Sequence, residues 1–144
     1  MEVNGHKLPD YLVQLIQEGR WKRPVDTKPL LKLADMIYEP DFCSLERMRE
    51  EIDANFDIVE RGDGETYGMA SSLQSGIAIN DPGILDIDQA VIIVINEEED
   101  TICLDYRGNE ESPRIVALGA NAWQSGKWKI IASDFQTFAR EIGL

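Results

Sequence analysis

The fold is decided by the stretch Ala90-Val-Ile-Ile-Val-Ile-Asn-Glu-Glu-Glu-Asp-Thr-Ile-Cys-Leu-Asp-Tyr-Arg107. It opens with six consecutive apolar residues, Ala90 to Ile95, most of them β-branched. Such a run indicates a strand buried on both faces, although periodicity alone does not exclude a buried helix. Four acidic residues, Glu97 to Asp100, separate it from a second apolar run, Thr101 to Leu104. Two apolar runs joined by a short polar link are typical of a β-hairpin, so we predict a central hairpin with an acidic tip.

Helices are predicted before this hairpin. Apolar residues recur at the spacing of one helical face over residues 8–18, 29–38 and 45–55. Ser44 precedes the third of these segments and is a favourable N-cap. Residues 56–60 alternate apolar and polar side chains, which predicts a strand.

The segments after the hairpin complete the predicted fold. Further strands are expected at residues 114–118 and 128–132, and a final helix is capped by Ser133, with Gln136 at capping-box spacing. The buried face of that helix is predicted to carry Phe135, Phe138, Ala139 and Ile142. Shorter elements are a turn at 61–64, a strand at 77–79 and a turn at 81–83. This order predicts an α+β fold in one domain, residues 1–144, with a single mostly antiparallel sheet flanked by N-terminal helices and a C-terminal helix.

Negative charge is concentrated around the hairpin. The 144 residues include 27 acidic and 14 basic ones, a formal net charge of −13. Residues 81–111 contribute −9 of this total, with ten acidic residues and one basic residue, Arg107. Such a field repels nucleic acid and anionic membranes and attracts a basic partner. The alternative is that the charge only keeps the protein soluble.

Other global features predict a cytoplasmic protein. No apolar run approaches the roughly 18 residues that a membrane-spanning helix needs. Residues 1–7 lack a cationic region followed by an apolar one, so we do not expect a secretory signal. Cys43 and Cys103 lie in apolar surroundings, and a chain of this length does not depend on a disulfide, so both are expected to be reduced.

Residues that most enzymes and metal sites use are scarce. His6 is the only histidine, and we place it in a mobile N-terminal tail, which argues against nucleophilic triads and most zinc sites. The sequence has no phosphate-binding glycine motif and no Cys-x-x-Cys. Asp86 and Asp88 would share one side of an extended 84–88 segment, where with Asp105 they could hold a hard cation or act as an acid–base pair. A solvated acidic face is the favoured interpretation, so we expect no catalysis, cofactor or metal.

Two further segments allow a structural and a functional interpretation. Glu97–Asp100 can be a solvated tip that protects the central strands from aggregation, or a landing site for a cationic partner. The sequence alone favours the first. The basic segment Arg20–Pro24 can be a loop whose Trp21 covers the edge of the core, or a nucleic-acid patch. The loop is favoured because the whole protein is acidic.

Three stretches, taken in order, resemble a known family. They are Ile102-Cys-Leu-Asp-Tyr-Arg107, Pro113-Arg-Ile-Val116 and Ile131-Ala-Ser-Asp-Phe-Gln-Thr-Phe138. Together they are similar to the SUKH superfamily, the Smi/Knr-like proteins. The resemblance implies an α+β fold without enzymatic activity. It also implies that bacterial members act as immunity proteins that neutralise cognate toxins, often nucleases, whereas fungal relatives act as regulatory proteins connected to cell-wall synthesis.

The resemblance and the charge together give a functional hypothesis. We expect an immunity protein, a monomer or weak homodimer, that binds a basic nuclease toxin and neither nucleic acid nor membrane. The alternative is a regulatory adaptor that binds a cellular protein through an apolar surface including Trp21 or Trp123. In the family motif, Tyr106 is expected to pack, and Asp105 and Arg107 to make structural polar contacts; direct partner contact is the alternative. The candidate partner-binding residues are Asp86, Asp88, Glu97, Glu98, Glu99, Asp100, Asp105, Glu110 and Glu111.

Overall fold

The computed structural model describes residues 1–61, 73–74, 85–120 and 127–144, with the backbone alone at 56–61 and 73–74. In chain order the elements are β1 (Glu2–Val3), β2 (His6–Lys7), α1 (Asp10–Gln17), α2 (Lys28–Ala34), β3 (Asp41–Phe42), α3 (Leu45–Arg61), β4 (Leu73–Gln74), β5 (Leu85–Asp86), a 3-10 helix (Ile87–Gln89), β6 (Ala90–Ile95), β7 (Thr101–Asp105), β8 (Arg114–Leu118), β9 (Lys129–Ala132) and α4 (Phe135–Glu141).

The central hairpin is confirmed, and it forms the middle of a five-stranded antiparallel sheet. The strand order is β3-β6-β7-β8-β9. Ala90 pairs with Asp105 at one end of the hairpin and Ile95 with Thr101 at the other. Every residue of β6 and β7 is buried. Because neighbouring residues of a strand point to opposite faces, this burial means that both faces of the sheet are covered.

The predicted α+β class is confirmed. Helix α3 packs against β6, and α4 packs against β8 and β9 and also contacts α1. Two short ladders supplement the main sheet, an antiparallel one between β1 and β2 and a parallel one between β4 and β5. Phe135, Phe138, Ala139 and Ile142 are all buried, as their spacing predicts.

Helix α3 corrects the prediction for residues 56–60. These residues are helical, and α3 runs without interruption from Leu45 to Arg61. The apolar positions Met48, Ile52, Phe56 and Val59 continue a three-to-four-residue spacing, and the first glycine comes only at position 62. A helix that has already nucleated adds residues at little cost, so this longer pattern prevails over five alternating residues. The predicted cap is present, since Ser44 Oγ accepts a hydrogen bond from Arg47 N at 3.2 Å.

Helix α2 ends earlier than its apolar pattern predicts. It stops at Ala34 because Asp35 adopts a left-handed conformation with φ of 55°. The end of β8 approaches this helix terminus, and Ala120 N donates to Asp35 O at 2.7 Å. A Cβ at Gly119 would lie 2.2 Å from Ala34 O. Position 119 therefore requires glycine for the close approach of the two backbones.

Three smaller predictions also need correction. The cap of α4 is Asp134, not Ser133, because the Asp134 carboxylate accepts from Thr137 N at 2.8 Å. Residues 84–88 are not one extended strand, since a 3-10 helix begins at Ile87. His6 is not in a mobile tail, because it belongs to β2 and is 7% exposed. The predicted strand at 77–79, the turns at 61–64 and 81–83 and Trp123 lie wholly or largely outside the described residues.

Candidate functional site: two acidic surfaces

Within residues 85–111, the acidic side chains that are accessible to solvent form two surfaces at opposite ends of the central hairpin. Glu97, Glu98 and Glu99 follow β6, are exposed and constitute the tip surface. Asp88, Glu110 and Glu111 lie at the other end, where β6 begins and β7 ends, and constitute the base surface. Five residue steps of about 3.3 Å along β6 separate the two ends by roughly 17 Å. The tip surface and the base surface are therefore distinct.

One asparagine organises the tip surface. Asn96 Oδ1 accepts hydrogen bonds from Glu98 N and Asp100 N, each at 3.0 Å. Asn96 Nδ2 donates to Asp100 Oδ2 at 3.1 Å. The turn is closed by Glu99 N, which donates to Asn96 O at 3.0 Å, and Glu99 has a left-handed φ of 63°. The three glutamates thus project from a hydrogen-bonded turn, and Asp100 is 2% exposed inside it.

The base surface is attached to the N-terminal hairpin through His6. Its Nδ1 lies 2.5 Å from a carboxylate oxygen of Glu110, and its Nε2 lies 2.7 Å from the Asp88 carbonyl oxygen. The ring stacks on Tyr106 with 4.4 Å between ring centroids. The missed signal is Asn4-Gly5, a dipeptide typical of tight hairpin turns, and both residues have positive φ. That turn places His6 in a strand against residues about one hundred positions away.

Asp105 is a structural residue below the base surface. Its carboxylate is fully buried and accepts from Arg107 Nε and a terminal Arg107 nitrogen, each at 3.0 Å. Arg114 Nε donates at 2.9 Å to Asp105 Oδ2, the oxygen that also accepts from the terminal Arg107 nitrogen. Tyr106 packs in the core, and its hydroxyl donates to Lys7 O at 2.7 Å. Burial raises the pKa of Tyr106. These contacts confirm the expected packing of Tyr106 and the structural polar role of Asp105 and Arg107.

The predicted set of nine partner-binding carboxylates therefore divides by burial. Asp86, Asp100 and Asp105 are buried. Asp86 accepts from Asp88 N at 2.9 Å and caps the 3-10 helix, so the two do not project together from one strand. The side chain of Asp100 accepts from the Asn96 amide, and that of Asp105 accepts from two arginines, so these three carboxylates do not belong to the exposed acidic surface. Partner binding by the nine carboxylates stays a prediction.

A family model extends the resemblance to almost the whole chain. The model described as the SMI1 / KNR4 family (SUKH-1) matches residues 2–141. The chain belongs to this family. Comparison of this chain with curated proteins and with solved structures finds no match. In this SUKH-1 protein, Asp105, Tyr106 and Arg107 of the family motif stabilise the fold through the buried hydrogen bonds described above.

Nucleophilic and metal chemistry find little support in the described part of this SUKH-1 chain. Burial raises the pKa of the Cys43 thiol to about 12, and burial also raises the pKa of Cys103. Both thiols are free and buried, so neither has the thiolate character of a reactive cysteine. Within residues 1–61, 73–74, 85–120 and 127–144, no three His, Cys, Asp or Glu side chains are placed to hold a metal ion. The helices of these segments include none that is long and apolar enough to cross a membrane.

Of the two tryptophans named for a predicted apolar surface, Trp21 lies within the described residues and Trp123 does not. Trp21 packs on Phe42 and Phe135, and its indole nitrogen donates to Cys43 O at 2.9 Å, so it covers the core edge as one interpretation expects. The exposed apolar side chains beside the tip are Ile37, 70% exposed, and Tyr38, 49% exposed. Asn96 Nδ2 contacts Tyr38 O at 3.4 Å, which places this pair next to the acidic turn.

Proposed function

We propose that this SUKH-1 protein is a bacterial immunity protein that binds and neutralises a cognate toxin, a basic nuclease domain. The observation that carries the proposal is the tip surface, three consecutive exposed glutamates on a hydrogen-bonded turn. A nuclease must bind phosphate, so its cleft is basic. Because the backbone of this turn is fixed before binding, the segment that carries the three carboxylates loses little conformational freedom in the complex, and the carboxylates can occupy such a cleft.

The mechanism is stoichiometric occlusion, without turnover, cofactor or metal. Family membership supports a role in protein–protein interaction. The net charge of −13 supports electrostatic attraction of a cationic partner and repulsion of nucleic acid. The protein would work in the cytoplasm, where a nuclease meets its substrate. Desolvated acid–base pairs at such an interface can each contribute about 1.5–7 kcal/mol of coupling.

The experiment uses the product of the reading frame immediately upstream. The purified pair is tested for a one-to-one complex and for loss of nuclease activity. A triple variant, Glu97→Gln, Glu98→Gln and Glu99→Gln, should lower the association rate at low salt by about tenfold, since steering effects range from about 10-fold to 1,000-fold. The matched control removes three exposed charges from α3, by Glu46→Gln, Glu50→Gln and Asp53→Asn. An equal loss in both variants would assign the effect to net charge, and absence of any complex would refute the immunity role.

A regulatory adaptor is the second candidate, and the exposed Ile37 and Tyr38 favour it. An apolar contact through these side chains would bind a cellular protein with weak salt dependence. Replacing both by serine should then abolish binding, whereas the tip triple variant should not. Strong salt dependence of the captured partner would exclude this candidate.

A further inference from the structure

A small cleft opens beside the base surface. It lies between the first residues of α1, the first residues of α4 and the loop that precedes β8. Its volume is about 210 Å³, and its lining includes Asp10, Tyr11, Glu111, Asp134 and Phe135. Three chain segments that are far apart in sequence thus form one concave surface.

The size of the cleft restricts its occupant. Pockets for drug-sized molecules and cofactors usually have volumes of roughly 300–1,000 Å³. At about 210 Å³ and open to solvent, this cleft is too small for a cofactor. It is large enough for one long side chain of a partner protein.

The charge of the lining selects a cation. Three carboxylates, Asp10, Glu111 and Asp134, line the cleft together with two prolines and two aromatic residues, and its lining contains no lysine or arginine. Lys7 approaches Asp10 at 3.5 Å from outside the cleft, and both side chains are largely exposed. The Asp134 carboxylate accepts from Thr137 N at 2.8 Å, and this hydrogen bond lowers the pKa of Asp134.

The aromatic wall is fixed before any partner arrives. The Tyr11 hydroxyl donates to Leu144 O at 2.9 Å. Its ring contacts Phe135, with 6.2 Å between the ring centroids. Guanidinium groups stack on aromatic rings and pair with carboxylates, which ammonium groups do less well because they are compact and strongly hydrated. A wall that does not reorganise lowers the entropic cost of binding.

We infer that this cleft receives one arginine side chain of the basic toxin and anchors the complex there. The inference rests on the proposed function for the identity of the partner, but not for the chemistry of the cleft. Arginine is enriched among the few residues that dominate interface energies, usually seated in a pocket of the partner. The tip would attract the toxin, and the cleft would hold it.

The cleft is tested first without the toxin. N-acetyl-arginine amide is titrated into the labelled protein and followed by NMR, with N-acetyl-citrulline amide as the uncharged isostere. Saturable shifts at Tyr11, Glu111 and Phe135 are expected with the arginine compound, and at least fivefold weaker binding with the citrulline compound. The double variant Asp10→Asn, Glu111→Gln should abolish the shifts, and the tip variant Glu97→Gln, Glu98→Gln should keep them. Equal binding of both compounds, or shifts centred on the tip, would overturn the assignment.

The upstream toxin then tests the anchoring role. The cleft double variant should raise the dissociation rate at least tenfold and change the association rate less than twofold. An unchanged dissociation rate, with the wild-type complex intact, would refute anchoring at the cleft and leave the immunity role standing. Absence of any wild-type complex would refute the immunity role, while the arginine titration would still decide the chemistry of the cleft.

Discussion

The tip and base surfaces carry similar charge but differ in shape and in how they are built. The tip is exposed and local, because residues 96–100 make most of its hydrogen bonds among themselves, with further ones from Asn96 to Tyr38 O and from Thr101 to Glu99 O. The base is assembled from distant segments, with His6 bonded to Glu110 and Tyr106 to Lys7, and a cleft opens beside it. Equal charge therefore does not imply equal function. An exposed charged turn suits attraction at a distance, and a charged cleft suits retention of one side chain.

The largest expected effect concerns the buried charges below the base surface. Asp105→Ala leaves Arg107, whose side chain is 3% exposed, without its carboxylate. Breaking such a buried pair typically costs about 3–5 kcal/mol, because an uncompensated charge stays buried. Urea unfolding followed by circular dichroism measures the loss. Glu98→Ala at the tip is the control and should change the free energy of unfolding by less than about 0.5 kcal/mol. Similar losses in the two variants would contradict the structural distinction.

The second effect concerns the residue that organises the tip. Asn96→Ala removes both hydrogen bonds that the side-chain oxygen accepts. It also removes the one that the side-chain amide donates to Asp100. At a net value of roughly 0.5–1.5 kcal/mol per hydrogen bond, the free energy of unfolding should fall by about 2 kcal/mol. Urea unfolding measures the fall, and hydrogen exchange should accelerate more at residues 98–100 than at the base, because the local hydrogen bonds are lost in addition to global stability. Equal acceleration at both ends would contradict a local role for Asn96.

These two predictions mark how far the sequence determines each surface. The hairpin and its acidic tip could be predicted because a β-branched run, a polar link and a second run are adjacent in the chain. The base could not, because His6 and Glu110 are separated by 104 positions and no local pattern reports such a contact. The strand predicted at residues 56–60 is wrong for a related reason. Five alternating residues resemble a strand until the helix that precedes them is followed to its end.

A third prediction has the opposite sign. Glu99 has a left-handed φ of 63°, a conformation that costs non-glycine residues roughly 1–2 kcal/mol. Glu99→Gly should therefore raise the free energy of unfolding, by up to about 1 kcal/mol after the entropy of glycine is included. Urea unfolding checks the sign, with Glu98→Gly as the matched control, which should not stabilise. A destabilising Glu99→Gly would mean that the carboxylate makes a contact worth more than the strain.

The smallest effect concerns the carboxylate that α4 contributes to the cleft. A hydrogen bond from Thr137 lowers the pKa of Asp134 below the ordinary value of an aspartate. A depressed folded-state pKa gives stability that is present above the unfolded value and lost as the pH falls through the folded value. Asp134→Asn keeps a capping oxygen but does not titrate, so its unfolding free energy should fall less than that of the wild type below about pH 4. The unfolding free energy of the two proteins is measured as a function of pH. Coinciding curves would contradict the capping role of the Asp134 carboxylate.

The central claim is that the tip attracts the toxin and the cleft retains it. The most direct measurement gives the association and dissociation rates of the upstream toxin as a function of ionic strength, for the wild type, the tip triple variant and the cleft double variant. Salt screens attraction at a distance far more than a contact inside a cleft. We predict a steep salt dependence of the association rate for the wild type and the cleft variant, a much shallower one for the tip variant, and a dissociation rate raised at least tenfold in the cleft variant. Parallel association curves, or equal dissociation rates of the wild type and the cleft variant, would contradict the account.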